Sequence, residues 1–135
     1  MAYAGGGGGV PQNQLDLVAT KIFSINQAAG TYDIFNASAD LLVLHCNVYV
    51  NTAADTLTSV SIQTDQTNAV VIMSGAEGAV TNLTAQKNIP ISAPNFPFFL
   101  RGGQKIRYSI VGSQGNGQLI LNVVYRPIIE GAFLN

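Results

Sequence analysis

Charged side chains are scarce in this 135-residue chain, where Asp, Glu, Lys and Arg make up 10% against about 25% in an average soluble protein. Tryptophan is absent, and there is one cysteine and one histidine. A single cysteine excludes an intrachain disulfide, and a single histidine excludes a metal site with two imidazole ligands from one chain. No apolar run approaches the roughly 20 residues of a membrane-spanning helix. We therefore expect a fold that needs no disulfide, metal or membrane.

Groups for catalysis are equally few. A nucleophile–base pair would have to use His45 as the base, and the lone thiol, Cys46, is its neighbour in sequence. Adjacent residues of a strand point to opposite faces, so these two side chains cannot meet. Asp40, Asp55 and Asp65 fall in turns, where Asp is favoured for structural reasons. We expect a protein that is not an enzyme and that binds no cofactor, metal or small-molecule substrate.

The charge balance points to protein partners. The net charge is −1, so no overall field attracts nucleic acid or an anionic membrane, and we expect neither as a partner. Residues 1–67 carry one lysine against five aspartates, while residues 68–135 carry five cations against two glutamates. In an oligomer this asymmetry could align an acidic edge with a neighbour's basic edge. Depletion of charge is also typical of interface cores.

The first fourteen residues differ from the rest of the chain. Residues 5–9 are five consecutive glycines, which lose more backbone entropy on ordering than any other residue. The sequence therefore predicts a flexible arm over residues 1–14 and one folded domain over residues 15–135. Tyr3, Val10 and Leu15 are the apolar side chains with which the arm could contact a partner. The segment lacks the features of a secretory signal, so we expect synthesis in a cytoplasm.

Alternation of apolar and polar residues predicts an all-β domain. The strongest candidate strands are Leu41–Val50, Leu57–Thr64, Gln104–Val111 and Gln118–Arg126. The weaker ones are Val18–Ile25, Thr31–Asn36, Ala69–Met73, Val80–Leu83, Asn88–Ile91 and Phe96–Leu100. Eight to ten short strands separated by turn residues are typical of a sandwich or barrel. We expect a single-domain β-sandwich of the jelly-roll type.

The same alternation predicts the core. In the strand Leu41–Val50, strict alternation puts five residues on one face: Leu42, Leu44, Cys46, Val48 and Val50. The predicted core residues are Leu42, Leu44, Val48, Ile106, Ile110, Leu119, Leu121 and Val123.

Two apolar segments are candidates for binding another protein. Residues 95–100 hold three phenylalanines beside a proline, and the C-terminal residues 127–135 are more apolar than a solvated tail would be. Some of these side chains belong to the core, and those that face outward would form an anchor patch. The complete predicted interface set is Tyr3, Val10, Leu15, Phe96, Phe98, Phe99, Ile128, Ile129, Phe133 and Leu134.

The chain resembles the capsid decoration proteins of tailed bacteriophages, also called cement or head-stabilising proteins. The resemblance rests on Gly5–Gly9 and on the stretches GTYDIFNASADLLVLHCNVYVNT and LRGGQKIRYSIVGSQGNGQLILNVVYRPI. It implies a non-enzymatic viral structural protein on the capsid surface of a virion, with the major capsid protein as partner. It also implies oligomers seated at hexamer or pentamer junctions of an icosahedral shell. From the low charge, the opposed halves and the apolar tail we expect a homotrimer, with a dimer as alternative.

Two other functions remain open. One is a head-fibre, tail-fibre or receptor-binding domain of a phage, and the other is a lectin-like carbohydrate-binding module. Sugar-binding surfaces favour tryptophan, which is absent here, although Tyr32, Tyr49 and Tyr108 could replace it.

Overall fold

The computed structural model describes residues 15–92 and 95–135; the predicted arm and its residues Tyr3 and Val10 lie outside this range. Strands follow one another almost throughout, which confirms the all-β prediction. Their bounds are β1 Leu17–Ser24, β2 Gly30–Asn36, β3 Leu41–Thr52, β4 Leu57–Thr64, β5 Val71–Met73, β6 Lys87–Ile89, β7 Phe98–Leu100, β8 Lys105–Gly112 and β9 Gln118–Pro127. The described chain contains no helix with the length and hydropathy that crossing a bilayer requires.

The strands form two antiparallel sheets. Sheet A has the order β1-β9-β3-β6, and β7 pairs with the start of β3 on the same side as β6. Sheet B has the order β2-β8-β4-β5. The chain crosses between the sheets after β1, β2, β3, β5, β7 and β8. Since β6 and β7 share one strand position, this is the arrangement of an eight-stranded jelly roll. The predicted jelly-roll sandwich is confirmed.

The core lies between the two sheets, but β3 enters it in a different register from the one predicted. Its pairing with β9 shifts between Val43 and His45, so Leu44 is the extra residue of a bulge. The buried side chains of β3 are Leu41, Val43, Cys46, Val48 and Val50. The prediction that Leu42 and Leu44 lie in the core is wrong, because alternation does not continue across a bulge; both are half-buried. The other predicted core residues are confirmed: Val48, Ile106, Ile110, Leu119, Leu121 and Val123.

The segment between β5 and β6 also departs from prediction. The predicted strand Val80–Leu83 is a 3₁₀ turn over Val80–Asn82, followed by the buried side chain of Leu83. Just before it, the Val60 N–H donates to the Gly78 carbonyl over 2.8 Å. A Cβ on Gly78 would lie 1.7 Å from the Val60 carbonyl oxygen, so only glycine permits this close approach to β4.

Candidate protein-interaction surface

The C-terminal segment folds back onto its own sandwich. After β9 the Ile128 N–H donates to the Asp40 carbonyl over 3.1 Å. Further on, the Ser38 N–H donates to the Phe133 carbonyl over 3.0 Å, and Leu134 forms an antiparallel bridge with Ala37, directly after the end of β2. These bonds place Leu134 in the core, where its side chain is 8% exposed. The tail therefore closes the end of the sandwich at which β2 ends and β3 begins.

Four large apolar side chains remain exposed at this closed end. Phe99 is 60% exposed, Ile128 43%, Ile129 52% and Phe133 48%. Phe99 is contributed by β7, opposite Leu42 of β3, and the other three by the returning tail. We call these four residues the tail-end surface. All four belong to the predicted interface set. The fold brings these four members together from two segments that are distant in sequence, β7 and the tail.

Charged groups border the tail-end surface. Phe99 and Ile128 line a shallow cleft of about 280 Å³ together with Asp40 and Arg101. The Arg101 Nε lies 3.2 Å from the Asp40 Oδ2, and the other oxygen of that carboxylate accepts from the Gly102 N–H over 2.9 Å. An apolar centre with a polar, solvent-exposed border is the usual composition of a protein-binding surface.

The remaining predicted interface residues are distributed differently. Leu15 is 41% exposed, at the start of the described chain. Phe96 is half-buried, and its ring lies 5.6 Å from that of Phe98 and 6.0 Å from that of His45. Phe98 is 7% exposed. Phe98 and Leu134 are therefore buried in the chain's own core and are not exposed to a partner, because alternation along β7 and the tail turns both side chains inward.

The only cysteine side chain, that of Cys46, lies in the core. Cys46 is buried, and burial raises the pKa of its thiol to about 12, so the group is protonated at neutral pH. Its neighbour His45 is exposed on the opposite face of β3, as the sequence predicts. Among residues 15–92 and 95–135 there is no group of three or more His, Cys, Asp or Glu that could hold a metal ion.

The turn aspartates connect loops that are distant in sequence. Asp55 accepts a hydrogen bond from the Asn116 N–H over 2.9 Å, and Asp65 accepts one from the Lys105 N–H over 2.8 Å. The sequence predicted a structural role in turns for these carboxylates. Lys105 begins β8 and Asn116 lies in the loop between β8 and β9, so neither partner could be identified from local sequence.

The opposite end of the sandwich is polar. A cleft of about 490 Å³ there is lined by Ser24, Asn26, Thr52, Ala53, Asp55, Asn116, Gly117 and Gln118. The tyrosines suggested as sugar platforms lie elsewhere. Tyr108 is buried and packs on Tyr32 with ring centroids 5.3 Å apart, and burial raises the pKa of its phenol. Tyr49 lies on the outer side of sheet A, opposite Ile120.

Comparisons with known proteins bear on the fold. No protein-family model matches this chain, and no curated protein matches it. Among solved structures, it is similar to a chain of the acidic stable capsid structure of Helicobacter pylori bacteriophage KHP30. The two are 12% identical, the alignment covers 90% of this chain and 94% of that chain, and the TM-score is 0.50. At this identity the likeness shows a shared fold.

Proposed function

We propose that this chain is a non-enzymatic structural protein that binds and stabilises the outside of an icosahedral phage capsid. The observation that carries the proposal is the tail-end surface, where four large apolar side chains are exposed beside the Asp40–Arg101 ion pair. Apolar side chains clustered within a charged border are typical of a site that binds another protein. The structural likeness to a chain of a phage capsid structure makes the major capsid protein the favoured partner and the virion the favoured location.

The tail-end surface of a single copy is small, and attachment of each oligomer to the capsid at several points would explain how it stabilises the shell. Self-association, as the trimer that the sequence favours or as a dimer, would present two or three tail-end surfaces at once. Linked sites bind far more tightly than single ones because the second contact forms at high effective concentration. Residues 1–14 would add to attachment through Tyr3, Val10 and main-chain hydrogen bonds of the glycines. Deleting residues 1–10 should then weaken binding to particles without changing the folded domain.

A second function has one observation in its favour. The polar cleft beside Asp55 offers hydroxyl, amide and carboxylate groups, which are suited to a glycan. A phage fibre, a receptor-binding domain or a lectin-like module would use such a site. However, none of Tyr32, Tyr49 and Tyr108 is among the residues that line this cleft, so it lacks the aromatic platform that sugars favour.

The copy number of the chain in purified phage particles separates these functions. Quantitative mass spectrometry should find the chain in numbers comparable to those of the major capsid protein if it decorates the shell. A handful of copies per particle would instead support a fibre or receptor-binding domain. Absence from particles, together with binding on a glycan array, would overturn the proposal in favour of a carbohydrate-binding module.

A further inference from the structure

The centre of the outer face of sheet A carries no charge, and the Arg126–Asp16 ion pair lies in the next row toward the tail end. Its outward side chains form three rows across β1, β9 and β3, with the pairing register fixed by the sheet. These rows are Val18–Val124–His45, Thr20–Asn122–Asn47 and Ile22–Ile120–Tyr49. We call these nine residues the A face. None of them is Asp, Glu, Lys or Arg, and the two apolar side chains nearest the edge are largely exposed, Val18 at 66% and Ile22 at 56%.

The A face is complementary to itself. Its middle row consists of hydroxyl and amide groups, with the Thr20 hydroxyl bonded to Asn122. On either side lies a mainly apolar row, one ending in Tyr49 and the other in the exposed imidazole of His45. A two-fold rotation about an axis along the middle row places apolar rows on apolar rows and amides on amides. Amide groups both donate and accept hydrogen bonds, so the middle row can pair with its own copy. Such isologous contacts produce the commonest closed oligomers.

The dimensions of sheet A suit a dimer. Sheet A is four strand positions wide, and β9 contains ten residues. At about 4.8 Å between strands and about 3.3 Å per residue, the whole outer face of the sheet measures roughly 600 Å² in projection, and the A face is the central part of it. Standard protein interfaces bury about 600–1,000 Å² from each partner. A contact reaches this range when it extends from the A face over the whole outer face, including the row of Arg126 and Leu42.

The β1 edge of sheet A is a poorer site for a second copy than the face. Lys21 lies on the inner side of the edge strand β1, where its Nζ donates to the Ile34 carbonyl over 3.0 Å and lies 5.2 Å from the centre of the Phe35 ring. A lysine pointing inward from an edge strand disfavours the addition of another strand, because the new chain would bury its charge. The face is thus favoured over the edge.

We propose that the A face packs against the A face of a second copy, related by a two-fold axis. The proposal deepens the self-association within the proposed function and rests on it. It favours the dimer over the trimer that the sequence favours. It also leaves Ile128, Ile129 and Phe133, which the tail contributes to the tail-end surface, available for the capsid at the end of each sandwich.

The test measures the mass of the full chain in solution by sedimentation equilibrium. The wild-type protein should have twice the 14.2 kDa mass of one chain. Val18→Lys should weaken the dimer by about 10-fold or more, because each lysine would be buried without a partner. The matched control is Val111→Lys on the outer side of sheet B, where the valine is 54% exposed; its dimer should change by less than about two-fold.

Circular dichroism and thermal unfolding establish that each variant is folded. If Val18→Lys does not fold, Thr20→Lys in the middle row serves the same purpose. A monomer at about 100 µM wild-type protein, a mass three times that of the chain, or an unchanged dimer in the A-face variant would each overturn the proposal. A dimer that does not bind particles would overturn the capsid proposal instead. A wild-type monomer that binds particles would overturn only the dimer.

Discussion

The two outer faces of the sandwich follow the same strand pattern and differ in chemistry. On the A face, Val18 and Ile22 are exposed and the three rows carry no charge. On the outer face of sheet B, Asp33 lies 3.1 Å from the Lys105 Nζ and 2.8 Å from the Arg107 Nε. Hydroxyl and amide groups fill most of the remaining positions there: Thr31, Ser59, Ser61, Gln63 and Ser109.

This difference is not a requirement of the fold. A sandwich needs apolar side chains on the inner faces of both sheets, and an outer face in contact with water is normally polar. Sheet B follows that rule, whereas sheet A follows it at the row of Arg126 and Asp16 and not on the A face. Because folding places the same demand on both sheets, we attribute the missing charge on the A face to the proposed contact with a second copy. Under this proposal, the comparison separates a solvent face from a contact face within one small domain.

The largest expected effect is on the free energy of unfolding. It tests whether the outer side of sheet A contributes to folding as the core does. Leu41 is fully buried, and its neighbour Leu42 is half-buried on the outer side. Leu41→Ala should lower the free energy of unfolding by about 2–5 kcal/mol, and Leu42→Ala by about 1 kcal/mol or less. Urea unfolding of dilute protein measures both. Equal losses would show that the outer side is part of the folding core and would remove the distinction between the faces.

An intermediate effect is expected at Glu77, a carboxylate that belongs to neither face. Burial raises its pKa, but the backbone N–H groups of Ser74 and Ser92 donate to the carboxylate and hold the pKa below its usual value. The carboxylate therefore stabilises the folded state above the ordinary glutamate pKa, and this stabilisation is lost as the pH falls through the lowered pKa.

Glu77→Gln should cost about 1–3 kcal/mol at neutral pH, and the difference from wild type should shrink in acid. Urea unfolding as a function of pH measures it. The control, Glu130→Gln, changes an exposed glutamate and should have little effect. If both variants behaved alike, general surface charge rather than anchoring of the loop would explain the loss.

The smallest effect is expected on the charged face. The hydrogen bond from Lys105 lowers the pKa of Asp33, and it outweighs the opposing effect of burial with help from Arg107. The Asp33 side chain is 53% exposed, so Asp33→Asn should cost below about 1 kcal/mol. The cost should be present above the usual aspartate pKa, disappear in acid, and diminish in about 1 M salt. Loss of self-association in this variant would instead identify sheet B as the contact face.

Local alternation was sufficient for most of the fold. The predicted strand Leu57–Thr64 matches β4 at both ends, because polar and apolar residues alternate from Ser59 to Gln63 and turn residues flank the segment. Leu44 could not be placed, since its bulge depends on pairing with β9, which lies far away in sequence. The sequence predicts a strand at Val80–Leu83, because a segment of four residues is too short to show a clear period. The close approach of Gly78 to β4 directly before it is a contact distant in sequence that this pattern does not contain.

The candidate surfaces were predictable in part. The apolar composition of residues 127–135 indicated a packed tail, but its bridge to Ala37, directly after β2, decides that Leu134 turns inward and Phe133 outward. The A face was missed. Its signal was present in the sequence, because β9 carries Ile120 and Val124 between its buried positions, and apolar residues on both sides of a strand indicate that both sides are covered.

Binding to capsid particles that lack this chain tests the central claim most directly. Co-sedimentation should show saturable binding of wild-type protein and a loss of about 10-fold or more for Ile129→Lys, which places a charge in the tail-end surface. Val111→Lys, at a residue of nearly equal exposure on sheet B, should bind as the wild type does. If wild-type protein does not bind, or if Ile129→Lys binds as tightly as the wild type, the tail-end surface is not the capsid contact and the account is contradicted.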